Sequence, residues 1–131
     1  MGTGLLIISH NGIGLALIET AVQILGGCPL PLEVLSVAAD CHPETLLDKA
    51  RKIVVSLDHG AGVLVLTDLY GATPSNIAMR LMDSARVRIV AGLNLPMLMR
   101  ILNYPHLDLD QLVDKAVSGG REGVFLVPQE A

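Results

Sequence analysis

Two side chains in this sequence have the types and the setting to do chemistry together. His10 follows the apolar run Leu5-Leu6-Ile7-Ile8 and precedes a glycine-punctuated turn, Asn11-Gly12-Ile13-Gly14. Asp68 follows a second apolar run, Val63-Leu64-Val65-Leu66-Thr67, and opens the stretch Leu69-Tyr70-Gly71-Ala72-Thr73-Pro74-Ser75-Asn76. An imidazole changes charge near neutral pH more readily than any other side chain. A carboxylate that accepts one ring N–H fixes the tautomer and frees the other nitrogen as a nucleophile. Gly71, Thr73 and the start of the helix after Pro74 add backbone and hydroxyl donors suited to a phosphate. Nucleophile, orienting acid and anion cradle point to phosphoryl transfer through histidine. Taken alone, each residue has a plainer reading: a histidine where a strand reaches the surface, and an aspartate that caps a turn.

The elements that must position this pair follow from the spacing. Leu5–Ile8 is a short apolar run bounded by turn residues, which predicts a strand buried on both faces, and Glu33–Ala38, Gly62–Thr67 and Val87–Ala91 predict three more strands. Apolar residues at helical spacing over 13–25 predict a helix closed by Gly26-Gly27. Pro43 opens a second helix to about Leu57. Further helices are expected from Ser75 to about Met82, over 95–102, and over 109–118, where Gly119-Gly120 would stop the chain. Val124–Val127 predicts a last strand. Strands alternating with helices over short connections specify an α/β domain with an open, mostly parallel sheet and helices on both faces. Such sheets bind ligands beyond the carboxyl ends of the strands, at a switch point in strand order. If the strands ending at His10 and Asp68 are neighbours, both side chains emerge at one edge.

Composition narrows the function classes. The chain has 131 residues, the size of one domain, so 1–131 is read as a single unit. Hydrophobic residues make up 51% of it, with one Phe and no Trp, so the core must be aliphatic. The net charge is −4, and neither a basic stripe nor stacking aromatics point to nucleic acid. Cys28 and Cys41 lack metal or redox spacing and fit free thiols in a reducing compartment. No signal peptide is evident, and no apolar run reaches the ~18 residues of a membrane span, so a cytoplasmic location is expected. Gly12 and Gly14 make no dinucleotide or P-loop fingerprint. His42 flanks a helix start, His59 sits at a helix end, and His106 lies in a turn. No metal-ligand spacing links these histidines to His10 or Asp68, so no metal is expected. Met79, Met82, Met97 and Met99 sit at helical positions and suit a core.

The segments "VLTDLYGATPSN" (65–76) and "VAGLNLPMLMRIL" (90–102), in this order behind the His10 strand and ahead of "AVSGGREGVFL" (116–126), resemble the IIA component of the mannose-type family of the bacterial phosphoenolpyruvate-dependent sugar phosphotransferase system. The resemblance implies a phosphohistidine carrier without cofactor or metal. His10 would accept a phosphoryl group from the carrier protein HPr and pass it to a IIB protein, so the chain would meet the membrane only through the transporter complex. Alternatives within the resemblance are a regulatory module that signals by its phosphorylation state, and a phosphoryl donor in a dihydroxyacetone kinase system. Asp68 matches the aspartate that orients the histidine, and Thr73 matches the hydroxyl residue of the phosphate-holding loop. Gly71, Ser75 and Asn11 are further candidates for holding the phosphate. Leu69, Tyr70 and Met97 are candidates for an apolar rim that meets partners. The family fold has four parallel strands and a fifth, antiparallel C-terminal strand exchanged between the subunits of a homodimer, here the segment Val124–Val127. With no linker before Ala131, a free-standing IIA protein is expected. The sequence departs from the family pattern at Asn11, which precedes the first glycine, at Ala72 in place of glycine, and at Ser75, where an apolar residue is frequent.

Overall fold

A computed structural model of the chain describes residues 2–83 and 86–129. Its strands are β1 (Gly4–His10), β2 (Leu32–Val37), β3 (Val63–Thr67) and β4 (Val87–Ala91). Its helices are α1 (Ile13–Leu25), α2 (Pro43–Leu57), α3 (Thr73–Met79), α4 (Leu95–Leu102) and α5 (Leu109–Glu122). The strands form one sheet of order β2-β1-β3-β4, all parallel. The order reverses between β1 and β3, and this is the switch point at which α/β sheets bind ligands. The expectation that the strands ending at His10 and Asp68 are neighbours therefore holds, with Ile8 in register with Thr67.

Alternation along the central strands builds the two halves of the core. Leu5 and Ile7 of β1 and Leu64 and Leu66 of β3 pack with α1, α4 and α5. Leu6 and Ile8, with Val63 and Val65, pack with α2 and α3 on the other face. All eight side chains are fully buried. Burying a Leu, Ile or Val is worth roughly 1.5–3 kcal/mol each, so the sheet centre is the rigid part of the molecule. The two strands that carry the site are thus its best-anchored elements. No helix among the described residues is long and apolar enough to cross a membrane.

Two expectations are corrected. Val124–Val127 forms no strand, so among the described residues the sheet has no fifth, antiparallel strand; the segment lies exposed, Leu126 at 94%. The run has strand-forming residues, but a strand exists only where a neighbour accepts its backbone hydrogen bonds. Among the described residues, the backbone bond of this segment is that from Val124 N–H to the Arg121 carbonyl.

The second correction concerns α5, which runs past Gly119-Gly120 to Glu122. These glycines are buried contact points rather than stops. A Cβ on Gly119 would collide with the Arg100 side chain, and one on Gly120 would lie 2.9 Å from Met97 Cε. Small residues here let α5 lie close against α4. Asn94 fastens the same pair: its Oδ1 accepts the Met97 amide at 2.9 Å and its Nδ2 donates to the Gly120 carbonyl at 3.1 Å.

Candidate active site

β1 delivers His10 to the sheet edge, and a built turn holds it there. Ser9, fully buried, accepts the Gly14 amide on its Oγ at 2.9 Å. A Cβ on Gly14 would lie 2.5 Å from both Ile7 Cγ2 and Ser9 Oγ, so only glycine lets α1 start this close to β1. Asn11 adopts φ +47°, a left-handed conformation that asparagine tolerates better than most residues. Its amide donates to the Val37 carbonyl at 2.9 Å, tying the turn to β2, while its side chain is exposed. The unusual residue after the histidine is therefore a turn-former. The part of Ser9 was not read from the sequence, although a polar residue ending a fully apolar strand was the available signal.

At the end of β3, one carboxylate oxygen takes two bonds from one residue. Asp68 Oδ2 accepts the His10 backbone amide at 3.1 Å and lies 2.9 Å from His10 Nδ1. With Asp68 ionised, Nδ1 carries the proton and donates it, leaving the lone pair on Nε2. The imidazole is 37% exposed and the carboxylate 11%. Burial pushes the Asp68 carboxyl up, but the bonds from the His10 ring and amide, with the charge of the ring, outweigh it and hold the group below the usual carboxylate value. Asp68 Oδ1 is buried without a hydrogen-bond partner.

The loop beyond Asp68 divides the remaining candidates. Ser75 is buried, and its Oγ accepts the Gly71 amide at 2.8 Å and donates to the Ala72 carbonyl at 3.0 Å. Thr73 is exposed at the first position of α3, and Pro74 behind it is buried. Among the described residues the Thr73 hydroxyl has no hydrogen-bond partner. α3 packs against β1 and β3, the two strands that carry His10 and Asp68. Leu69 and Tyr70 are exposed, as an apolar rim requires, and so is Ile13 at the start of α1. Met97 is not on that rim: it is 3% exposed, within the core under α5. Of the other methionines, Met99 packs on the core, whereas Met79 and Met82 are exposed. His42, His59 and His106 are exposed, and among the described residues none is hydrogen-bonded to the pair. Among the described residues no group of three or more His, Cys, Asp or Glu side chains could hold a metal ion.

Fold and site together define a class: an open parallel α/β domain presenting a carboxylate-held histidine at its switch point. The family model described as "PTS system fructose IIA component" matches residues 4–117. The chain belongs to this IIA family of the phosphotransferase system. It is 41% identical over 86 residues to the "PTS system mannose-specific EIIAB component" of Escherichia coli K12, a match covering 63% of this chain and 27% of that protein. It is 34% identical over 79 residues to the "PTS system fructose-specific EIIA component" of Bacillus subtilis, covering 57% of this chain and 54% of that one. The chain thus spans about a quarter to a half of these curated relatives. Among solved structures, the mannose/sorbose-specific IIA subunit from Enterococcus faecalis superposes with a TM-score of 0.88 at 27% identity, covering all of this chain and 98% of that one.

Proposed function

We propose that this chain is a phosphohistidine carrier, with Nε2 of His10 as the phosphoryl acceptor. The observation that carries the reading is the bond between His10 Nδ1 and Asp68 Oδ2, which leaves Nε2 as the nucleophilic nitrogen at a partly exposed position. The donor is the phosphohistidine of HPr and the acceptor a IIB protein, in keeping with the family.

In the forward step the P–N bond on HPr breaks as the bond to Nε2 of His10 forms. The Nδ1 proton stays on the ring throughout. The phosphorylated ring then carries positive charge, which the ionised Asp68 offsets. Phosphoryl transfer passes through a loose transition state with charge on three equatorial oxygens, so positioning and electrostatics carry the rate. The Thr73 hydroxyl and the nearby loop amides are the donors proposed to meet those oxygens. The exposed Ile13, Leu69 and Tyr70 supply apolar contact for partners that must bind briefly and leave.

Incubation with phosphoenolpyruvate, enzyme I and HPr tests the reading. The chain should acquire an acid-labile, base-stable phosphate and lose it on addition of a IIB protein. No label from competent partners would end the proposal. Label without onward transfer would favour the regulatory module.

A further inference from the structure

We propose that Ser75 is a positioning residue for phosphoryl transfer, fixing the Gly71–Thr73 segment rather than touching the phosphoryl group. The inference rests on the phosphocarrier reading and concerns a position where this chain departs from the family pattern.

A serine hydroxyl has one proton and two lone pairs. In Ser75 the proton goes to the Ala72 carbonyl and one lone pair receives the Gly71 amide. While those bonds hold, Ser75 has no proton to give a phosphoryl oxygen, and its remaining lone pair would repel one. The same two bonds remove the Gly71 amide from the set of available donors. Two residues whose types suggest phosphate ligands are therefore spent on each other. The donors left in the segment are the amides of Ala72, Thr73 and Ser75 and the hydroxyl of Thr73, since Pro74 has none.

The lock has a definite task. Gly71 sits at φ +87°, and a Cβ built on it would meet nothing within 4 Å, so packing does not confine it. Gly71 is exposed and Ala72 half-buried, so neither is held by a core. The Ala72 carbonyl also accepts the Asn76 amide at 3.0 Å, but Ser75, anchored in α3 and 1% exposed, is the fixed point that both backbone groups share. Without the hydroxyl, water can satisfy these near-surface groups and the fold survives. What is lost is the placement of Thr73 relative to His10 and Asp68. A misplacement of about 1 Å can cost 10²-fold in rate.

The test uses the intact chain with phosphoenolpyruvate, enzyme I and HPr. Amide exchange at Gly71 is measured by NMR before and after phosphorylation, and rates are compared for wild type, Ser75→Ala and Ser75→Thr. The positioning role predicts that the wild-type Gly71 amide is protected in both states, while the Thr73 and Ser75 amide resonances shift on phosphorylation. Ser75→Ala should melt close to wild type, exchange Gly71 faster, and lose about tenfold in kcat with little change in KM for phospho-HPr. Ser75→Thr, which keeps the hydroxyl, should recover most of the rate. Loss of Gly71 protection on phosphorylation would show the hydroxyl leaving its lock to bind the phosphoryl group, and would overturn the inference. So would a Ser75→Ala variant that accepts phosphate at the wild-type rate. The Gly71 comparison needs no variant and stands whatever the substitutions do to folding. A wild type that takes no label ends the phosphocarrier reading itself; a labelled wild type matched by Ser75→Ala ends only the positioning role.

Discussion

Oδ2 of Asp68 bonds both the backbone amide and the ring Nδ1 of His10, at 3.1 and 2.9 Å. The first bond fixes where the residue leaves β1, and the second fixes how its ring is turned. Both come from the residue that follows β3, beside β1 in the sheet, so the pair is carried by the two strands whose side chains are fully buried.

Asp68→Asn keeps the shape but not the tautomer preference. An amide can donate to Nδ1 as well as accept from it, so the proton is no longer held away from Nε2. Phosphoryl acceptance should fall by roughly 10²- to 10³-fold, by analogy with other carboxylate–histidine pairs, with a modest fall in melting temperature near neutral pH, where the ionised carboxylate favours folding. Rapid-quench labelling by phospho-HPr measures the rate.

The same pair links stability to acid pH. Asp68 is held below its ordinary value of 3.8 in the folded chain, so its ionised form favours folding. That stabilisation is fully present above 3.8 and is lost as pH falls through the lower folded value. Melting curves between about pH 5 and pH 2 should show the wild type losing more stability than Asp68→Asn. Parallel curves for the two proteins would mean that the carboxylate gains nothing from His10 on folding.

Gly14 is fixed by contact rather than by φ. An alanine there would press its methyl into Ile7 and Ser9 and displace the turn that carries His10. Gly14→Ala should cost about 1–3 kcal/mol. Gly12→Ala, where a Cβ would meet nothing within 4 Å, should cost much less. Chemical denaturation of the two variants gives the comparison.

Asp58 controls the approach to β3. Its Oδ1 accepts the amides of Gly60 at 2.8 Å and Gly62 at 3.0 Å, both at positive φ. Removing one acceptor from two turn amides should destabilise by about 1 kcal/mol, so Asp58→Ala should melt lower by a few degrees without loss of phosphoryl acceptance. A variant that melts normally but fails to accept phosphate would place Asp58 in the chemistry instead.

How far the sequence disclosed this arrangement depends on the range of the interactions involved. α1, α2 and α4 begin and end where periodicity, Pro43 and Gly26 put them, because their caps are local. His10 and Asp68 could be paired because each ends an apolar strand, and parallel sheets place such ends along one edge. Gly119-Gly120 misled because a glycine pair serves equally as a stop or as a close contact, and the Arg100 and Met97 side chains that decide it come from α4. Val124–Val127 misled because strand propensity is not a strand without a neighbour. Ser75 was the subtlest case. A hydroxyl in a phosphate-type loop suggests a ligand, and only the fold reveals that its proton is already committed to Ala72.

The central claim is that Asp68 directs chemistry to one nitrogen of His10. The most direct measurement is the position of the phosphate on the ring, read by phosphorus–nitrogen correlation NMR on the 15N-labelled phosphoprotein at alkaline pH. Phosphate is expected on Nε2 alone, with no label in His10→Ala. Phosphate on Nδ1, or label that survives His10→Ala, would contradict it.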